Sequence, residues 1–179
     1  MKLEEINDKM LVFCSNRLQT LGSEKGGLLH YYEQRVENKI ILKAERERYL
    51  IEYIQNNYPL TTTIHEFACG AAQLGHSLSL LGYEVSASEI MKARFNFATE
   101  LGLYLNSKCI IIYGDFTKIQ TSAKLYITIN AVSGDLDLTK NLHLLKEKLN
   151  QGSDIIFHAG LYGKQCKYPT DKSVGFKPD

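Results

Sequence analysis

Residues 62–89 read TTIHEFACGAAQLGHSLSLLGYEVSASE and predict a strand, a turn of small residues, a helix and a second strand. A threonine run followed by Ile64–Phe67 has the composition of a β-strand. Residues 68–72 carry almost no side-chain bulk, so the backbone there can approach a ligand closely. Leucines then recur at helical spacing up to Gly82, where a helix cap is expected. The second strand alternates towards Glu89, and the stretch is typical of half a nucleotide-binding βαβ unit.

Three further strands are predicted after this unit, at residues 108–113, 125–130 and 154–158. The first of them is a near-continuous apolar run, as expected of a parallel strand covered on both faces. A helix before it is expected to end at Gly102. A second helix is indicated by a leucine stripe made of Leu138, Leu142, Leu145 and Leu149. Because strands and helices alternate, we expect an α/β fold with a doubly wound, mainly parallel sheet.

Two N-terminal helices are predicted before the first strand. An apolar stripe at helical spacing runs through residues 3–13, and the second helix covers about Leu28 to Asn57. The charged residues at 43 and 45–48 are expected to form a solvated face of the second helix. We therefore divide a single domain, 1–179, into a helical arm (1–58), a Rossmann-like core (59–160) and a short tail (161–179).

The composition indicates one ordinary globular domain. The chain has 179 residues, 44% of them hydrophobic, which is enough for a buried core. A net charge of +1 predicts neither a nucleic-acid partner nor an anionic membrane surface. The four cysteines are widely separated, which argues against a metal site and against a disulfide framework. The charged N-terminus does not resemble a signal peptide, so the cytoplasm is the expected compartment.

Residues 62–89 resemble the first motif of class I S-adenosylmethionine-dependent methyltransferases. In that motif an acid precedes a Gly-x-Gly-x-Gly turn, and a second acid ends the next strand. Glu66, Gly70 and Glu89 match it, whereas Ala68 and Ala72 stand where glycines are usual. An alanine forced to positive φ costs on the order of 1–2 kcal/mol. The resemblance implies a sheet order of 3-2-1-4-5, S-adenosyl-L-methionine as cofactor and methyl transfer as the reaction.

The resemblance also implies which residues bind the cofactor. Gly70 allows close backbone approach, and Glu89 offers two acceptor oxygens to the ribose diol. Asp115 would accept from the adenine amine, and Glu66 would hold the turn and reach the methionine end through water. The complete set of candidate cofactor-binding residues is Glu66, Ala68, Cys69, Gly70, Ala72, Glu89, Ile90, Asp115, Phe116 and Asn130.

The acceptor is predicted to be a small molecule, and no catalytic residue is assigned. Of the Asp/Asn-Pro-Pro-aromatic signature of amino-directed nucleic-acid and protein methyltransferases only Asn130 is present, where it can orient an acceptor. Few residues follow His158, so the far edge of the sheet must end differently from the family pattern. There are two hypotheses for this edge. It is closed either by the N-terminal helix or by a second subunit in a homodimer.

Several alternatives stay open. Glu89 lies nineteen residues after Gly70, as an NAD-binding acid would, although Gln73 replaces the third glycine of that fingerprint. A non-catalytic methyltransferase-like binding or partner subunit is the other functional alternative. For single residues, Glu89 and Asp115 are also interpretable as helix caps, and His65 as a structural histidine.

Overall fold

The computed structural model describes residues 1–20, 46–129 and 152–158, with isolated positions at 33, 36, 37, 143, 146, 147 and 149. The described elements, in chain order, are α1 (Leu3–Thr20), α2 (Arg46–Asn57), β1 (Thr63–Phe67), α3 (Gln73–Leu80), β2 (Glu84–Glu89), α4 (Lys92–Leu105), β3 (Ile110–Tyr113), β4 (Leu125–Ile129) and β5 (Asp154–His158). None of the helices in this part of the chain is both long and apolar enough to cross a lipid bilayer.

The five strands form one parallel sheet in the order β3-β2-β1-β4-β5, which confirms the predicted fold class and strand order. Ile64 of β1 is in register with Val85 of β2 on one side and Leu125 of β4 on the other. All carboxyl ends therefore meet at one edge of the sheet, and the order reverses between β1 and β4. A ligand site is expected at that edge in open sheets of this kind.

Alternation along the strands sorts the side chains onto two faces. On one face Ile64, Val85 and Ile127 join the main apolar cluster with residues of all four described helices. On the other face Phe67 and Tyr126 stack with ring centroids 5.4 Å apart. The predicted N-terminal helix is confirmed as α1, whose Ile6, Met10 and Cys14 are buried.

The helix α3 ends as its sequence predicts. Its C-cap is Leu81, and Gly82 follows with φ 107°. The N–H of Gly82 donates to Ser79 O, and the N–H of Tyr83 donates to Leu78 O. This is the Schellman arrangement, in which a left-handed glycine satisfies the last carbonyls of a helix.

The prediction that Gly102 ends the next helix was wrong. Helix α4 continues to Leu105, and Asn106 is its left-handed C-cap, with φ 54°. A Cβ at Gly102 would lie 2.6 Å from Cε1 of His76, so this glycine lets α4 approach α3 closely. The His76 Nε2–H donates to Ala98 O at 2.9 Å, and Nδ1 lies 3.0 Å from Ser107 Oγ. Glycine serves here for close packing of two helices.

Two burial predictions were also wrong. Ile110 is 65% exposed because β3 is an edge strand, with β2 as its neighbour, and is not covered on both faces. Glu47, assigned to a solvated face, is 5% exposed, while Arg48 beside it pairs with Glu4 at the surface. Glu47 lies four and seven residues before Ile51 and Ile54, so the helical repeat places it on their buried side.

Several predictions fall on residues outside the described ranges. They concern most of the second helix before Arg46, the leucine stripe at 138, 142 and 145, Asn130, and the C-terminal tail.

Candidate functional site

The turn after β1 has a left-handed residue at every second position. Ala68 has φ 49°, Gly70 has φ 60° and Ala72 has φ 53°. These are the three positions that the methyltransferase motif fills with glycine. A Cβ built on Gly70 meets no atom within 4 Å, so its outer side faces open space. The backbone is thus left-handed at all three glycine positions of the motif although two of its residues are alanines, each at a cost of about 1–2 kcal/mol.

The two alanines are expected to respond differently to glycine. Ala68→Gly should raise the free energy of unfolding by up to about 1 kcal/mol, because relief of the left-handed strain exceeds the entropy gained by the unfolded chain. Ala72 is completely buried, so Ala72→Gly also loses methyl burial of about 0.8 kcal/mol and should be nearly neutral. Urea denaturation measures both. Ala71→Gly is the control, because Ala71 is a buried neighbour without positive φ, and it should be destabilising. Stabilisation by all three substitutions would show that left-handed strain is not the cause.

Glu89 fastens this turn to the end of β2. Its Oε2 accepts from the Gly70 N–H at 2.8 Å, and its Oε1 accepts from the Met91 N–H at 2.8 Å. The residue is 2% exposed. Met91 is the N-cap of α4 and makes no side-chain cap bond, so Glu89 also satisfies the N–H at the start of that helix, as the cap alternative supposed. Each carboxylate oxygen retains a second lone pair, which suits a ribose hydroxyl.

Glu66 lies under the start of α3 and is 5% exposed. Ala72, the N-cap of that helix, makes no side-chain cap bond, and Glu66 Oε2 instead accepts from the Gly75 N–H at 3.0 Å. Burial raises the pKa of Glu66 to about 8; the bond from Gly75 lowers it, and the nearby carboxylates of Glu47 and Glu89 raise it further. A Cβ at Gly75 would lie 3.1 Å from Glu66 Oε2, so Gly75 makes room for this contact.

The thiol of Cys69 sits inside the turn. Burial, followed by the charges of Glu66 and Glu89, raises its pKa well above the ordinary value. The thiolate is the nucleophilic form of cysteine, and it is strongly disfavoured here. Cys69 therefore lines the turn as a small apolar residue.

The loop after β3 is joined to the same edge. The Gly114 N–H donates to the backbone oxygen of Glu89 at 3.0 Å. Asp115 Oδ1 accepts from the N–H and the hydroxyl of Thr117, at 2.9 and 2.8 Å, and so closes a short turn instead of capping one of the described helices. The Phe116 ring lies 5.6 Å from that of Phe67. The structure thus brings Asp115 and Phe116 to the carboxyl edge where Glu89 ends β2.

The remaining candidates are Ile90 and Asn130. Ile90 follows Glu89 directly and is 55% exposed, so its apolar side chain is accessible at this edge. Asn130 lies outside the described residues. Glu47 was not a candidate, although its place on the stripe of Ile51 and Ile54 was a signal that could have shown its burial.

Two buried histidines accompany the site without entering it. The two ring nitrogens of His65 lie 2.7 Å from Ser86 Oγ and 3.2 Å from Ser88 Oγ, which supports a structural role. Burial lowers the pKa of both His65 and His76 to about 4. Both rings are therefore neutral near pH 7.

These pKa values predict how stability depends on pH. The histidines stabilise the fold above their ordinary pKa of 6.5, and this is lost as pH falls through about 4. Glu66 has the opposite effect. Its contribution to the free energy of unfolding is complete below pH 4.5 and is lost as pH rises through about 8. Urea denaturation should show the greatest stability of the ligand-free protein at about pH 6.5, since two histidines outweigh one carboxyl below it. Glu66→Gln should remove the alkaline decline and steepen the loss of stability on the acid side, because the carboxyl no longer opposes the histidines there. An unchanged alkaline decline would contradict this assignment.

Solved structures match this architecture. A protein of Methanococcus maripaludis assigned as an S-adenosyl-L-methionine-dependent methyltransferase matches with TM-score 0.57 and 19% identity, over 66% of this chain and 57% of that one. This chain has the class I methyltransferase fold. An S-adenosylmethionine-dependent methyltransferase of Clostridium acetobutylicum matches with TM-score 0.54 and 15% identity, over 69% of this chain and 52% of that one.

A third match is a methyltransferase of Thiobacillus denitrificans in complex with S-adenosyl-L-homocysteine, with TM-score 0.52 and 12% identity, over 64% of this chain and 47% of that one. The chain thus spans 47–57% of the length of these three solved structures. No protein-family model and no curated protein match the sequence. At such low identities the likeness concerns the fold, and the function has to be argued from the site.

Proposed function

We propose that this protein binds S-adenosyl-L-methionine at the turn 68–72 and transfers its methyl group to a small-molecule acceptor. The observation that carries the proposal is the alternating left-handed backbone of this turn, fastened by Glu89. Alanine tolerates that backbone at a cost, so two alanines there indicate that the shape itself is required. The turn opens at the edge where ligands bind in sheets of this order.

The chain's own residues bind and orient the cofactor. The outer side of Gly70 allows adenosyl groups to approach the backbone, and Glu89 accepts from the ribose hydroxyls with its remaining lone pairs. Ile90 lies against the adenine, beside Asp115 and Phe116, and Cys69, Ala68 and Ala72 line the turn. Glu66 faces the methionine end. Asn130, which directly follows β4, orients the acceptor.

Little further chemistry is required of the protein. When bound, the cofactor supplies a methyl group already activated by its sulfonium. The protein contributes alignment of donor and acceptor and exclusion of water. A general base is needed only if the acceptor must lose a proton in the reaction. We place the whole function in a single domain that comprises the arm, the core and the tail.

A small-molecule acceptor is supported by the net charge of the chain and by the absence of the Asp/Asn-Pro-Pro-aromatic signature beyond Asn130. The net charge of +1 gives no electrostatic attraction for nucleic acid. One structural match, with TM-score 0.52, 13% identity and 33% of that chain covered, is a coclaurine N-methyltransferase bound to N-methylheliamine and S-adenosyl-L-homocysteine. The fold is thus compatible with acceptors of this size.

Transfer of a labelled methyl group tests this proposal. The protein is incubated with S-adenosyl-L-methionine labelled on the methyl group and with fractions of a cell extract separated into small molecules, RNA and protein. We expect label in the small-molecule fraction, and less of it with the Glu89→Ala variant at a methyl-donor concentration below the Kd of the variant. Label confined to RNA or protein would overturn the acceptor class.

A partner-subunit function is the second candidate, because Ala68 and Ala72 occupy the left-handed positions where the motif has glycine. It predicts binding of the cofactor without transfer to any of the three fractions. The labelling experiment, done together with a binding measurement, separates the two functions.

A further inference from the structure

Three buried glutamates lie near one another, and two of them bond the proposed cofactor turn and the helix that follows it. Glu47 comes from α2, Glu66 from β1 and Glu89 from β2, and their residues are 5%, 5% and 2% exposed. Glu66 is in register with Ala87, two residues before Glu89 on the same face of the sheet. Strand spacing and rise place the Cα atoms of Glu66 and Glu89 about 8 Å apart. Three separate elements thus bring carboxyl groups into one buried region.

Glu66 has no cationic neighbour among the described residues that act on it electrostatically. From α2 and β2 it faces the carboxylates of Glu47 and Glu89, and both make its ionisation less favourable. The thiols of Cys69 and Cys109 face it from the turn and from the chain before β3, and both are held in the neutral form by burial. Near pH 7 the Glu66 carboxyl is therefore protonated to a large extent.

Helix α3, which covers Glu66, supplies a hydrogen bond but no charge. The Gly75 N–H donates to Glu66 Oε2 at 3.0 Å. The histidine of this helix, His76, is bonded to Ala98 and Ser107 on the side of α4 and is neutral. A positive group entering the site would therefore be the main influence favouring ionised Glu66.

We propose that Glu47 and Glu66 make the site selective for the positive charge of its ligand, and that Glu66 loses a proton to solvent when the cationic methyl donor binds. This rests on the proposed function and concerns the regulation of the same site. S-adenosyl-L-methionine carries a sulfonium, an ammonium and a carboxylate group and is a net cation. S-adenosyl-L-homocysteine carries the ammonium and the carboxylate group without net charge, and methylthioadenosine carries none of the three. Proton release should follow that order.

Binding calorimetry in two buffers with different ionisation enthalpies measures the released protons. At pH 7.0 we expect about 0.5–0.9 proton released per S-adenosyl-L-methionine bound, fewer with S-adenosyl-L-homocysteine and none with methylthioadenosine. The affinity for the methyl donor should rise between pH 6.0 and 7.5 with a slope equal to the protons released. The affinity for methylthioadenosine should stay constant in this range.

Two variants test whether the released proton comes from Glu66. In Glu66→Gln the amide oxygen can still accept from Gly75, so the fold is kept, and proton release should disappear while affinity becomes independent of pH. In Glu47→Gln the pKa of Glu66 falls because a like charge is removed, so less proton is released at pH 7.0. Glu52→Gln, at an exposed position of the same helix, is the matched control and should behave as the wild type.

The outcomes distinguish this inference from the proposed function. If S-adenosyl-L-methionine binds without proton release, or if Glu66→Gln releases as many protons as the wild type, the inference is overturned and the proposed function stands. If no adenosyl ligand binds, the proposed function fails and the inference with it. Equal proton release with all three ligands would also overturn the inference.

Discussion

Glu89→Ala is expected to weaken binding of S-adenosyl-L-methionine by about 1–3 kcal/mol, roughly 5- to 150-fold in Kd. The variant removes the acceptor for the ribose hydroxyls. It also removes the acceptors of the Gly70 and Met91 N–H groups, which fasten the turn. Both losses act in the same direction, because a turn that is held less firmly has to be ordered when the ligand binds. Titration calorimetry measures the affinity.

Glu84→Ala is the matched control for this variant. Glu84 begins the strand that Glu89 ends, and it is exposed. We expect its replacement to leave the affinity unchanged. Urea denaturation of each variant establishes the range in which it is folded. A folded Glu89→Ala protein that binds within twofold of the wild type would remove Glu89 from the site.

Gly102→Ala is expected to destabilise the fold by about 2–4 kcal/mol, although alanine is ordinarily the better helix residue by about 1 kcal/mol. The new Cβ would lie 2.6 Å from the His76 ring, so the ring must move. Movement breaks its bonds to Ala98 and Ser107 in a buried place. Urea denaturation measures the change, and Leu103→Ala at the exposed neighbouring position should have little effect.

A double-mutant cycle shows whether the His76 ring is the cause. In the His76→Ala background the clash is absent, so Gly102→Ala should there be neutral or stabilising. The two substitutions should thus be strongly non-additive. If Gly102→Ala lowers the free energy of unfolding equally with and without the His76 ring, contact with that ring does not explain why glycine is needed at position 102.

The sheet could be predicted from the sequence because each strand carries its own local signal. The β5 prediction of 154–158 agrees with the structure, and Gly82 marked the end of α3 correctly. Gly102 and Ile110 were misinterpreted for one reason. A glycine in a helix and an apolar residue in a strand have the same local pattern whether or not another element packs on them. Whether another element packs on such a residue depends on the tertiary structure.

For the site, the sequence predicted which residues stand near the turn but not how they interact. The left-handed backbone of Gly70 could be expected from its residue type, whereas that of Ala68 and Ala72 opposes local preference and is imposed by the surroundings. That Glu89 is bonded to Gly70 depends on the pairing of β1 with β2. The burial of Glu47 depends on which face of α2 meets the sheet.

A calorimetric titration of the wild-type protein with S-adenosyl-L-methionine, S-adenosyl-L-homocysteine and NAD separates the cofactor classes that a βαβ unit can bind. We predict that both adenosyl ligands bind with one site per chain and that NAD does not bind. Binding of NAD alone, or no binding of either adenosyl ligand to the folded protein, would contradict a methyl-donor site at the turn between Ala68 and Ala72.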